Sequence, residues 1–144
     1  MMRERAVAPD LYETGPSGPR LVGGRRKSDG KFVFPYPAGL ERSLYERTLL
    51  GAQGTLWSWT VQRFRPKTPP YAARDSESDF RPFVVGYVEI PGEIIVESRI
   101  DADPENLSIG QPMEMTTIPF TTDADGTIVL TYAFCPASAP QNQE

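Results

Sequence analysis

Gly54-Thr55-Leu56-Trp57-Ser58-Trp59-Thr60-Val61-Gln62-Arg63-Phe64 is the run on which the fold assignment turns. It is rich in aromatic and β-branched residues, and period-two alternation places Trp57, Trp59 and Val61 on one face of a strand, which is expected to be buried. Pro82 to Ile90 repeats the composition with Phe83, Val84, Val85, Tyr87, Val88 and Ile90. Pro91-Gly92 then supplies a turn, since proline fixes φ and glycine accepts a positive one, and Ile94 to Ile100 is the return strand of a hairpin.

Downstream, Asp103-Pro104-Glu105-Asn106-Leu107 offers a capping aspartate, proline at the first helical position and an acidic first turn, which predicts one helical turn ended by Gly110. Met113 to Phe120 and Thr127 to Phe134 are the last two strands, joined across Thr122-Asp123-Ala124-Asp125-Gly126, with Ile128, Leu130, Tyr132 and Phe134 sharing a face. That acidic turn begins like a calcium loop but carries Phe134 at the twelfth position, where an acid is needed, so it is assigned as a hairpin turn. Between the first two long strands, residues 65 to 81 hold Pro66, Pro69, Pro70 and the polar run Arg74 to Asp79, a longer loop than compact domains usually carry.

Upstream, Leu21 to Arg26 and Lys31 to Phe34 flank Lys27-Ser28-Asp29-Gly30, and Asp-Gly between two strand-like runs marks a tight hairpin, stopped by Pro35 and Pro37. Gly39 to Leu50 is compatible with either a short amphipathic helix or an extended lead-in. Residues 1–19 carry charges with Pro9, Gly15, Pro16, Gly18 and Pro19, which suits an arm with at most one helical turn around Asp10 to Glu13. The expected divisions are an arm over 1–19, a hairpin and lead-in over 20–50, a barrel over 51–137 and a tail over 138–144.

Composition narrows both class and chemistry. Fifteen prolines and twelve glycines in 144 residues, with few long helical patterns, favour short strands joined by turns, hence an all-β domain. The order of three strands, a short helical element and two strands is that of the five-stranded OB barrel, with a sandwich as the rival architecture. A net charge of −4 disfavours a general nucleic-acid binder. Cys135 is the sole cysteine and histidine is absent, which rules out an intrachain disulfide, a multi-thiolate metal site and the commonest general base. Cys135 is assigned to packing beside Phe134 rather than to nucleophilic chemistry. The first residues lack the apolar core of a signal peptide and no run approaches a membrane span, so a cytoplasmic location is expected.

Several segments together resemble a zinc-ribbon and OB-fold family, known as a domain of unknown function, whose members pair with thiolase-like enzymes acting on acyl-CoA thioesters. The matching segments are Gly30 to Pro35, Gly54 to Val61, Arg81 to Ile90 and, most specifically, Asp103-Pro104-Glu105-Asn106-Leu107-Ser108-Ile109-Gly110-Gln111-Pro112-Met113-Glu114-Met115. The similarity spans roughly residues 20 to 137. Members usually bind zinc through two CxxC-like pairs in the N-terminal ribbon. Here the first pair falls at Arg26 and Asp29, and the second between Pro37 and Tyr45, where no cysteine or histidine stands. A metal-free, rubredoxin-like ribbon is expected, held by the Asp29-Gly30 turn and by packing of Leu21, Phe32 and Phe34.

The resemblance implies a non-catalytic subunit of a thiolase-fold enzyme, in a heterotetramer with two copies of each chain. Such a subunit completes or shields an acyl-CoA site, needs no cofactor of its own and leaves the coenzyme A thioester mainly to the partner. Its known settings are steroid side-chain aldolases, an aromatic-degradation thiolase, a diacetylphloroglucinol acetyltransferase and an archaeal thiolase and synthase assembly. Candidate contacts with the partner or its acyl-CoA channel are Arg63, Arg65, Lys67, Tyr71 and Arg74, at the end of the first long strand and in the loop after it. Arg25, Arg26 and Lys27, with Arg20 and Lys31 nearby, are candidates for coenzyme A phosphates or an acidic partner surface, against ordinary solvated charge. Trp57 and Trp59 are assigned to core packing rather than to base stacking on a single-strand-binding face. The spacing of Asp101 and Asp103 singles out no acid and base pair.

Overall fold

The computed structural model describes residues 3–8, 10–63 and 80–137. Among these residues are ten strands and two 3-10 helices: β1 (Glu4–Ala6), β2 (Tyr12–Gly15), β3 (Gly18–Arg26), β4 (Phe32–Val33), a helix at Gly39–Leu44, β5 (Tyr45–Leu49), β6 (Gln53–Gln62), β7 (Phe83–Ile90), β8 (Ile94–Ile100), a helix at Pro104–Asn106, β9 (Pro112–Thr122) and β10 (Ile128–Pro136). Strands β6, β7, β8, β10 and β9 pair in that circular order, and β9 returns to β6 through Gln53 to Thr55 beside Pro112 to Glu114. The β8–β10 pairing is parallel and the rest of the ring antiparallel. This is the closed five-stranded OB barrel, not a sandwich.

Local chemistry sets the turns. Gly92 and Gly126 adopt positive φ in the β7–β8 and β9–β10 connections. The Asp103 carboxylate accepts the Glu105 amide at 3.1 Å, which caps the short helix as its sequence requires. In the β9–β10 turn the Asp123 amide donates to the Thr127 carbonyl and the Gly126 amide to the Asp123 carbonyl, so the acidic run closes a hairpin.

The N-terminal third corrects one expectation and extends another. Residues 1–19 are not simply an arm: β1 lies parallel to β10 beside Ile128 to Leu130, and β2 pairs antiparallel with the start of β3. The β1–β10 pairing joins residues more than 120 positions apart, which no local pattern reveals, whereas β2 and β3 form a hairpin across Pro16-Ser17. The ribbon is also more than a hairpin. Strand β3 pairs with β2, β4 and β5, and the open choice over 39–50 is resolved as a 3-10 helix followed by a strand. Leu21 and Leu50 are fully buried in one cluster with Leu56, Val88, Met113 and Phe134 of the barrel, with Phe32 and Phe34 packed against it. Barrel and small sheet therefore share one core, which supplies the packing that an isolated hairpin lacks.

A second correction falls on β6. Leu56 pairs with Val88 and Ser58 with the adjacent Tyr87, so Trp57 is the extra residue of a β-bulge. The bulge changes the parity of the strand. Leu56 points inward before it and Trp59 and Val61 pack on the core after it, while Trp57 is 57% exposed instead of buried. On β10 the face of Ile128, Leu130, Tyr132 and Phe134 is only partly enclosed except at Phe134, whereas Val129 and Ala133 on the other face are buried. Cys135 follows Phe134 but is half-buried rather than buried.

Candidate partner interface

The basic residues of the small sheet divide into structural and free-standing groups. Arg20 donates from Nε to the Leu50 carbonyl at 2.8 Å and from Nη2 to the Leu49 carbonyl at 3.2 Å, closing the end of β5. Arg26 grips Asp29 with two bonds, Nε to Oδ1 at 3.0 Å and Nη2 to Oδ2 at 2.6 Å. The Arg26 bonds, reinforced by the Lys31 amide, hold the Asp29 carboxyl well below the usual carboxylate range. Arg25 folds over the turn, its Nη2 reaching 3.0 Å from where a Cβ of Gly30 would stand. Lys27 and Lys31 are exposed, and the Lys27 amide donates to the Leu44 carbonyl at 2.9 Å, tying the turn to the first 3-10 helix.

This geometry bears on zinc. Arg26 and Asp29, where the resemblance would put a first pair of thiolates, hold a bidentate ion pair instead. The second ligand region is occupied by Arg42, which donates to the Pro37 carbonyl at 2.9 Å and stacks over the Tyr36 ring at 4.4 Å. Among the described residues no group of three or more His, Cys, Asp and Glu converges. These donors do not fit tetrahedral zinc.

Arg63 is exposed, at the lip of a cleft of about 390 Å³ at one end of the barrel, with Phe83, Arg99, Asp101 and Ile118 among its lining. The Arg99 guanidinium lies 3.5 Å from the centroid of the Phe83 ring, a cation–π contact that packs the cleft floor. Arg65, Lys67, Tyr71 and Arg74 lie outside the described residues. Cys135 has no imidazole near it to activate it, and burial, then Glu114 and Asp101, push its thiol up.

Alternation did not reveal the most conspicuous surface. The outer face of β6, β7 and β8 presents Trp57, Tyr87 and Ile95, exposed by 57, 46 and 38%. Tyr87 stands opposite Glu97, and Glu89 opposite Ile95. Next to Trp57, the 107–111 loop is stitched to β6 by Gly110 N to Leu56 O at 2.6 Å and Leu56 N to Gln111 O at 2.9 Å, and it holds Ile109 74% exposed. Beside Ile95 and Glu97 opens a cleft of about 410 Å³, whose far wall is Phe34, Pro35 and Tyr132. Phe34 and Tyr132 meet edge to face at 5.4 Å, and the Tyr132 hydroxyl donates to the Glu97 carbonyl.

Charge is segregated along the same lines. Residues 20–50 hold seven Lys and Arg against three Asp and Glu, while residues 80–137 hold two against nine. An acidic barrel exterior repels nucleic-acid phosphates, so the tryptophan-bearing face lacks the basic setting that base-stacking platforms use.

Residues 47–117 match the family model for the C-terminal OB-fold domain of ChsH2. The matched residues belong to this domain family. The match runs from the end of β5 into β9 and includes the bulge and the capped helix. A DUF35 domain-containing scaffold protein of Pyrococcus furiosus is 28% identical over 123 residues, covering 81% of this chain and 83% of the relative. Among solved structures, a chain of the Ltp2-ChsH2(DUF35) aldolase superposes with a TM-score of 0.55 at 20% identity, covering 83% of this chain and 86% of that one. No helix among the described residues is long and apolar enough to cross a membrane.

Proposed function

We propose that this chain is a non-catalytic OB-fold subunit that binds a thiolase-fold partner and helps to build or shield that partner's acyl-CoA site. The family match carries this reading, because the solved relative of the same fold is named for its aldolase complex and the archaeal relative is named a scaffold. The chemistry of the chain supports it. Without histidine, and with a half-buried thiol of raised pKa, the chain lacks an activated nucleophile and base for thioester chemistry. Binding, orienting and excluding water need none of these.

The assembly in this reading is a heterotetramer of two copies of each chain, acting on steroid side-chain or aromatic acyl-CoA thioesters. The lip at Arg63 and the segment carrying Arg65, Lys67, Tyr71 and Arg74 contribute to the channel. Arg25 and Lys27 face coenzyme A phosphates or an acidic partner surface, whereas Arg26 is committed to Asp29. The test is co-expression with thiolase-fold subunits of the native host, followed by assay of acyl-CoA cleavage or acyl transfer. The isolated chain is expected to be inactive and the pair active. Turnover of an acyl-CoA by the isolated chain overturns the proposal.

A further inference from the structure

We infer that the outer face of β6, β7 and β8, centred on the bulged Trp57 with Tyr87 and Ile95 and interspersed with Glu89 and Glu97, is the docking surface for a partner patch with an apolar centre ringed by arginine and lysine. The inference rests on the subunit reading above and names the surface that such a partner occupies.

The bulge is the first ground. Without an extra residue, the parity of β6 would turn Trp57 away from the outer surface or break the alternation at Trp59 and Val61. With it, Leu56, Trp59 and Val61 pack on the core and the tryptophan stands outside. Bulges re-aim side chains in this way, and a tryptophan set more than half in water gains little for the folded monomer. Tryptophan and tyrosine at the centre of a patch are the residues that dominate binding once covered.

Charge identifies the occupant. Glu97 lies directly across from Tyr87 and Glu89 directly across from Ile95, so the two most exposed apolar residues of β7 and β8 each have a carboxylate beside them, while Arg99 stands farther along β8 opposite Val85. Two Lys and Arg stand against nine Asp and Glu over residues 80–137, and with Asp123 and Asp125 paired to Arg5 and Arg3 the balance there stays acidic. A surface ringed by acids would strand those carboxylates beneath an apolar or acidic partner, and a second copy of the same face would place acid on acid. Cationic side chains satisfy them. The cleft bounded by Phe34, Pro35 and Tyr132 opens beside Glu97 and also carries Arg99 on its wall, so it marks where the acidic surround of the patch gives way.

The experiment uses the full chain with a thiolase-fold subunit of the native host, measuring affinity and association rate by surface plasmon resonance at two salt concentrations. Trp57→Ser and Tyr87→Ser are expected to weaken the complex at least about 30-fold each. Glu97→Lys is expected to slow association and flatten its salt dependence. All three side chains project from the barrel, so the variants should melt with the wild type. Leu40→Ser, which alters a side chain 96% exposed on the 3-10 helix at Gly39–Leu44, should leave affinity unchanged. A wild-type complex that tolerates Trp57→Ser and Glu97→Lys overturns this inference and leaves the subunit reading intact. Failure of the wild-type chain to bind any thiolase-fold subunit overturns both.

Discussion

Replacing Gly54 by alanine tests the closure of the barrel where β6 meets both β7 and β9. A Cβ there would stand 2.3 Å from the Glu89 carbonyl oxygen and 2.8 Å from Val88 Cγ1, against an ordinary contact that begins at 3.4 Å. The obstacle is backbone and cannot rotate away, so β6 and β7 must part by about 1 Å or surrender their hydrogen bonds. Overpacking of this kind costs about 3 kcal/mol, which for a domain of this size lowers Tm by roughly 10 °C. Two controls grade the effect. At Gly51 the added atom meets Ile90 Cγ2 at 3.0 Å and Glu93 Oε1 at 3.6 Å, side-chain ends that can shift, so alanine should cost under about 1 kcal/mol. At Gly15 nothing lies within 4 Å, and alanine should be neutral or stabilise by about 0.5 kcal/mol through the unfolded chain. Thermal and urea melts followed by circular dichroism measure all three. A Gly54→Ala protein melting within about 2 °C of wild type would refute the close approach of the strands.

Four other outcomes are expected. Arg20→Ala should lose about 1–3 kcal/mol in urea unfolding, because two carbonyls at the end of β5 lose their donor, and Arg20→Lys should not restore both bonds. Chelator should leave the melting curve unchanged. Asp29→Ala should instead lower it at pH 7, and because Arg26 depresses the folded carboxyl, that contribution is present above the unfolded pKa of about 4 and fades as pH falls through the folded value. Burial, then Glu97, raises the Tyr132 phenol, so folded protein holds that proton longer than unfolded chain and stability should fall above about pH 10; in pH-dependent melts, Tyr132→Phe should shallow that decline.

The partner reading changes how the aromatic content is understood. Trp57 and Trp59 are two residues apart, yet one belongs to the surface and the other packs on the core. Stability can be separated experimentally from binding at this surface, because Gly54 is buried in β6 while Trp57 stands exposed on the same strand.

What the sequence determined by itself was what short-range chemistry controls. Asp29-Gly30, Pro91-Gly92 and Asp123 to Gly126 turn the chain wherever they occur, and Asp103-Pro104 caps its own helix, because the interacting atoms lie within a few residues of one another. The absence of histidine and of a second cysteine likewise excluded an intrachain disulfide and a multi-thiolate metal site. The tertiary structure decided what depends on partners brought together from afar. The pairing of β1 with β10 joins residues more than 120 positions apart, the carbonyls that claim Arg20 lie on another strand, and the bulge at Trp57 exists only because β7 sets the register against which an extra residue counts. Alternation assumes an uninterrupted ladder, and one inserted residue reverses which face meets water.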